Sequence, residues 1–595
     1  MAGRGPIEVE WQFDAPDLEA VDAWLRAQPA HAALALEERP PKRQRDTYFD
    51  TAEWRLFHAG LSLRSRIAGG DAETTLKALP ARGDGPVARA EQSEPGEIEA
   101  VQEGVSALAD RLRLMLRGQP LRPLFTVATH RRTWLARAGD DVLAEIALDD
   151  TTVEAPTGVT SVLRRVEVEQ VAPGGLARVE AFLDAMRAEC ALERAAGSKF
   201  DAGLATATAG ARPGPPDLGP TAIAADDRAV DRAYAVLRRR TGEFLAREAG
   251  TALGEDPEQL HAMRVATRRL RAAMRVFDAV LPPALLEARD ELRWFAQELG
   301  AVRDLDVQLE HLEQLRATAV WAEATALAPL VTQFERRRIE AREALLAAIA
   351  GDRYARLVTA LRTALLAGPA PDAPDVSSAD EARRVILRRY RRFETDAAAL
   401  RPRSPHEAFH ALRIRGKRLR YSLELFMDLA GRPGGRALAS LRALQDLLGE
   451  LQDLATTDER LRALVRDEAA SLPPDTLVMI GRLMERHEER AAEIVRAFPR
   501  ARAALLRDFA RVRRRLRPPA PPVEEPAPAV EATDLLAASE SPAAPETPET
   551  PEALPTAPIA VAQRALTVIT TRPRPSRLAA ADAIRAFIRF FRGRR

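Results

Sequence analysis

Residues 261–271 read His261-Ala262-Met263-Arg264-Val265-Ala266-Thr267-Arg268-Arg269-Leu270-Arg271, and 149 residues further on the chain reads His410-Ala411-Leu412-Arg413-Ile414-Arg415-Gly416-Lys417-Arg418-Leu419-Arg420-Tyr421. The register holds outward without a gap: Phe277 answers to Phe426, Gly300 to Gly449 and Asp304 to Asp453. A fixed offset kept over this distance marks an internal duplication. On a helix, His261, Arg264, Arg268, Arg271 and Arg275 fall within roughly 80° of one another, with Met263, Leu270, Met274 and Phe277 opposite. The second copy sets His410, Arg413, Lys417 and Arg420 against Leu412, Leu419, Leu423 and Phe426. Both are therefore predicted to be helices with one face in a core and one basic face.

Between Gln259 and Phe277 stand five arginines and no acid. Like charges at helical spacing repel, so an unpaired stripe points to an anionic partner. Arginine forks match phosphate oxygens, and a histidine beside them gains charge when a polyanion approaches. Aromatic residues make up only 5% of the chain, which argues against a nucleic-acid reader that stacks bases.

These segments, with Leu299-Gly300-Ala301-Val302-Arg303-Asp304, resemble the CHAD family (conserved histidine α-helical domain) over roughly residues 226–515. The resemblance implies two helical repeats, 226–370 and 378–515, related by pseudo-twofold symmetry. It also implies a basic groove for inorganic polyphosphate, formed by His261, Arg264, Arg268, Arg271, His410, Arg413, Lys417 and Arg420.

The first third alternates instead. Ile7-Glu8-Val9-Glu10-Trp11-Gln12-Phe13 puts Glu8, Glu10 and Gln12 on one strand face, and Arg64 with Arg66, Thr75 with Lys77, and Glu167 with Glu169 share faces in the same way. A closed barrel with such faces inward would gather carboxylates for a divalent metal and bases for phosphate. Glu8-Val9-Glu10, Ser62-Leu63-Arg64-Ser65-Arg66, Thr75-Leu76-Lys77, Arg89-Ala90-Glu91, Arg132, Glu145 with Asp149, Glu167-Val168-Glu169 and Ser198-Lys199 resemble the CYTH superfamily of triphosphate tunnel metalloenzymes over about residues 6–205. The resemblance implies that Glu8, Glu10, Glu167 and Glu169 bind Mg²⁺ or Mn²⁺. It implies that Arg64, Arg66, Lys77, Arg132 and Lys199 hold the triphosphate, and that Glu8, Glu10 and Lys77 are catalytic. One departure stands out: the family's opening motif, Glu-x-Glu-x-Lys, has Gln12 at its last position here.

The remaining features set the frame. A single cysteine, Cys190, excludes an internal disulfide framework, and no hydrophobic signal or spanning run is present, so a cytoplasmic protein is expected. Only four lysines accompany the arginines, and Lys77 and Lys199 fall on motif positions. A Gly/Pro-rich linker is expected at 206–225, a Pro/Ala-rich disordered segment at 516–575, and a basic amphipathic helix or tail at 576–595 that suits an anionic surface or a partner.

The expected fold class is α+β multidomain: an N-terminal antiparallel β tunnel barrel, duplicated all-α bundles, then a disordered tail. The expected function is metal-dependent hydrolysis of inorganic triphosphate beside a polyphosphate-binding domain. The alternative is a non-catalytic binder of triphosphate and polyphosphate associated with polyphosphate granules. Adenylate cyclase or thiamine triphosphatase activity, and a nucleic-acid scaffold, rank behind these.

Overall fold

Alternating charged and apolar residues take the first third of the chain into strands, and the 149-residue repeat takes the part from Ala229 to Arg515 into helices. The structure, a computed structural model, describes residues 7–27, 30–31, 34–79, 87–172, 176–318, 321–468, 470 and 472–517. Of the disordered segment expected at 516–575 only Leu516 and Arg517 are described, closing the last helix, and the helix or tail expected at 576–595 lies outside the described residues.

The elements of the first part are β1 (Ile7–Asp14), α1 (Leu18–Ala27), β2 (Ala30–His31), β3 (Leu34–Asp50), α2 (Arg55–His58), β4 (Leu61–Ala68), β5 (Asp71–Ala78) and β6 (Val87–Pro95). There follow α3 (Ile98–Glu103), α4 (Ala107–Leu116), β7 (Arg122–Ala138), β8 (Asp141–Glu154), β9 (Thr160–Gln170), α5 (Leu176–Glu189), β10 (Glu193–Arg194) and α6 (Lys199–Ala207). The strands run β1-β6-β5-β4-β3-β7-β8-β9, and β9 pairs back with β1, so an antiparallel sheet closes on itself. The β4–β5 hairpin turns on Gly69 and Gly70, both at positive φ, the conformation a two-residue turn needs. In β3 the ladder slips between Arg39 and Lys42, where Pro40 and Pro41 have no N–H to donate.

The barrel buries its apolar residues outside rather than inside. Ile146, Leu148, Val166 and Val168 pack with Val21 and Leu25 of α1 and with Phe182 and Leu183 of α5. The opposite parity of the same strands is left for the charged residues.

The second part comprises α7 (Ala229–Leu245), α8 (Glu248–Leu253), α9 (Pro257–Val276), α10 (Pro283–Thr318), α11 (Trp321–Ala350), α12 (Asp352–Ala367), α13 (Ser378–Ala399), α14 (His406–Leu425), α15 (Met427–Glu468) and α16 (Pro474–Arg515). Shifted by the repeat, α9 coincides with α14, and α10 with the part of α15 beyond its break at Gly431. Repeat-equivalent residues also meet one another. Arg228 bridges Ser377, and the rings of Phe277 and Phe426 stand edge to face at 5.5 Å. Equivalent residues can touch in this way only near an axis of pseudo-twofold symmetry.

The barrel and the helices belong to one compact unit. Their joint centres on Glu248, 4% exposed, at the start of α8. It accepts from Arg55 Nη2 at 2.7 Å, from Arg117 Nη1 at 3.1 Å and from the Tyr354 hydroxyl at 2.7 Å. Arg362 of α12 adds an ion pair to Glu53 at 2.6 Å. No helix among the described residues is long and apolar enough to cross a membrane.

Candidate functional sites: a charged tunnel and a basic helical face

A cavity of about 230 Å³ runs through the barrel. Its wall carries six carboxylates, Glu10, Glu73, Glu91, Glu145, Glu167 and Glu169, and five bases, Arg64, Arg66, Lys77, Arg131 and Lys199. The bases are held by acids of the wall. Arg66 forks onto the buried Asp46 at 2.7 and 2.9 Å, and Arg64 lies 3.6 Å from both Asp46 and Glu91. Lys77 meets Glu91 at 2.8 Å and Glu10 at 3.9 Å. Arg131 spans Asp149 and Glu167, at 2.6 and 2.7 Å. Lys199, at the first turn of α6, joins the same two carboxylates, reaching Glu167 at 2.8 Å. Burial pushes the Glu167 carboxyl up, but the charges of Lys199 and Arg131 outweigh it and hold the group well below the usual carboxylate range.

The residues expected at a phosphate site are therefore gathered in one tunnel, with two exceptions. The Glu8 side chain lies outside the described residues. Arg132 faces away, pairing with Glu19 at 2.9 Å and Asp22 at 3.2 Å of α1 on the barrel exterior. Its place in the tunnel is taken by Arg131. Side chains of a strand alternate, and Trp134, on the parity of Arg132, sits in the outer apolar layer with its indole N–H donating to Asp22. That tryptophan was the available signal, since the strand face that buries it cannot also face the charged lumen. Glu73 and Asp46 were likewise not anticipated.

Gln12 Nε2 donates to Glu10 Oε1 at 3.1 Å. Glu10, Glu169 and Glu145 are cross-strand neighbours on β1, β9 and β8, forming one row of carboxylates along the lumen. Hard oxygen donors of this kind suit Mg²⁺ or Mn²⁺, so the donor set fits a divalent cation. Among the described residues no three such groups are yet drawn together as an ion-binding cluster.

On the helical part, α9 and α14 bring the two basic stripes together. Arg264 bonds Asp304 at 3.2 Å, and its repeat equivalent Arg413 lies 3.8 Å from Asp453. The histidines differ: His410 Nδ1 meets Gln452, whereas His261 Nδ1 is buried with no hydrogen-bond partner among the described residues. Arg303 stands in the repeat position of Gln452, and burial with the Arg303 charge lowers the His261 pKa. Arg268 and Arg271 also keep a buried Nε unpartnered. Burial, then Arg413, Arg268, Arg264 and Arg420 in turn, push the Lys417 ammonium down to about 7.

A CYTH domain model matches residues 8–188 and a CHAD domain model residues 235–462. Two uncharacterized proteins of Mycobacterium tuberculosis, from strains CDC 1551 and H37Rv, are each 28% identical over 503 residues, covering 76% of this chain and 88% of theirs. A solved CHAD domain of the plant Ricinus communis is 31% identical, covers 49% of this chain and 96% of its own, and gives a TM-score of 0.41. A Hippeastrum protein, named for adenylyl cyclase and described as having a dominant triphosphatase activity, is 20% identical, covers 35% of this chain and 98% of its own, with a TM-score of 0.24.

Proposed function

The chain belongs to the proteins that join a CYTH domain to a CHAD domain, and on that premise we propose that it hydrolyses inorganic triphosphate in the tunnel and binds inorganic polyphosphate on the basic helical face. The observation that carries the first half is the pairing of five lumen bases with a row of carboxylates. Arg64, Arg66, Lys77, Arg131 and Lys199 exchange their internal acids for phosphate oxygens and align the chain of phosphates. Glu10 and Glu169, with Glu145 in place of the expected Glu167 that Arg131 and Lys199 engage, would hold a divalent cation, Mg²⁺ or Mn²⁺, which would supply charge neutralisation and an activated water. The tunnel walls position the terminal phosphoryl group for in-line attack and exclude bulk water.

Gln12 favours a second reading, a tunnel that binds without turnover. Its amide occupies Glu10, a proposed metal ligand, and cannot supply the positive charge of a lysine. Phosphate release from triphosphate with Mg²⁺ or Mn²⁺ decides between them. Release by the wild type that disappears in Glu10→Ala establishes the hydrolase. A silent wild type with an active Gln12→Lys variant establishes a binder that has lost turnover, and release unaffected by Glu10→Ala overturns the site.

For the helical face the readout is pH. A polyanion restores the proton that Lys417 loses near pH 7, so binding takes up a proton in the range above it. Polyphosphate affinity accordingly falls as pH rises from 7 toward 10, by up to about tenfold per unit. Lys417→Arg, which stays charged, flattens that slope in calorimetric titrations.

A further inference from the structure

The duplication leaves its charges unequal at one end of the paired helices. Shifted by the repeat, Arg275 answers to Glu424, Arg271 to Arg420, Arg293 to Arg442 and Arg289 to Leu438. In the second repeat a carboxylate stands within the array: Glu424 accepts from Arg442 at 3.1 Å and lies 3.8 Å from Arg420, whose Nε, like that of Arg271, has no hydrogen-bond partner among the described residues. In the first repeat the carboxylate is replaced by a fourth arginine.

The geometry of that end is open and cationic. Arg275 and Arg293 are exposed, while Arg271 and Arg289 are half-buried beside them. Arg271 Nε has no hydrogen-bond partner among the described residues. The nearby acid is Asp290, an exposed residue 3.6 Å from Arg289. Burial and the charges of Arg275 and Arg293 push the Arg271 pKa down to about 10. The patch is also continuous with the basic face. From α13, Arg389 donates to the Arg275 carbonyl at 2.9 Å and to the Arg418 carbonyl at 3.0 Å, tying the end of α9 to α14.

Four guanidinium groups gathered around a single exposed carboxylate partner, Asp290, repel one another, and an anion removes the cost. We propose that Arg271, Arg275, Arg289 and Arg293 form a one-sided phosphate subsite, which takes the stretch of inorganic polyphosphate that runs on from the central stripes. The ligand then lies off the pseudo-twofold axis, toward the first repeat, although the central stripes are nearly symmetric. The subsite rests on the polyphosphate reading of the helical face.

The test is long-chain polyphosphate titrated into the full chain at two salt concentrations. Arg275→Glu with Arg293→Glu weakens binding at least about tenfold, and the salt slope falls by about 0.7 for each phosphate no longer neutralised. Arg442→Glu, the mirror change, has a smaller effect because Glu424 already pairs with Arg442 at that end. Glu424→Arg strengthens binding by opening the second end, a gain that misfolding cannot imitate. Equal losses from the two mirror changes, or no loss from the first while Arg268→Glu abolishes binding, overturn the one-sided subsite. If Arg268→Glu also leaves binding intact, the polyphosphate reading of the basic face falls, and the subsite with it.

Discussion

Arg131→Ala lowers phosphate release from triphosphate by about 10²–10³-fold, the scale on which the loss of one preorganised charge slows a reaction. Arg132→Ala leaves the rate near that of the wild type. The two residues are adjacent in sequence and opposite in direction. Arg131 bridges Asp149 and Glu167 inside the tunnel, while Arg132 pairs with Glu19 and Asp22 on the outer helix. Removing Arg131 leaves the fully buried Asp149 and the neighbouring Glu167 with Lys199 as their ion-pair partner, and it deletes one base from the proposed phosphate path. Removing Arg132 takes one partner from the exposed Glu19 and one from the buried Asp22, which keeps Arg26 and the Trp134 indole, so its cost falls on stability rather than on the lumen. Rates and thermal melts of both variants check this. Equal rate losses in the two, with both folded, would falsify the assignment of the lumen face.

The largest effect on stability is expected far from either site. Glu248→Ala takes one carboxylate from Arg55, Arg117 and Tyr354, all of which converge on it at the joint. Breaking a buried pair by removing one member costs about 3–5 kcal/mol, because the charges left behind stay desolvated. Burial raises the Glu248 pKa, but Arg55 and Arg117 outweigh it and set it below its usual 4.5. A depressed acid stabilises the fold fully above 4.5, and that contribution is lost as pH falls through the lower, folded value. Denaturant unfolding at pH 7 and again in acid reads both points. A wild-type midpoint that already matches Glu248→Ala at pH 7 would remove the joint from the account of stability.

Much of this architecture was open to reading in the chain itself. The duplication was legible because its offset survives without a gap from His261 and His410 to Asp304 and Asp453, and each copy keeps the helical spacing of its basic and apolar residues. The tunnel was legible because Glu-x-Glu and Arg-x-Arg pairs put like groups on one strand face. Which face points inward was not always so clear. In β7 the run His130-Arg131-Arg132 offers a base on either parity, and only the packing of Trp134 beneath α1 decides between them. The joint was invisible for a different reason. Glu248 meets partners 193 and 131 residues away, and no local period announces such a meeting. Gln12 was readable as a lost charge, but not as an amide tied to Glu10.

The contact of Phe277 with Phe426 makes the helical domain a dimer whose two subunits share one covalent chain. In a true homodimer every substitution appears twice, so the two ends cannot be tuned separately. Joining the copies removes that constraint and keeps each half at a high effective concentration relative to the other. The arginine at position 275 and the glutamate at 424 are a difference that only the joined form can hold. On the proposed reading, a symmetric ancestor would have met a polymer equally at both ends, and the joined form gives it a direction.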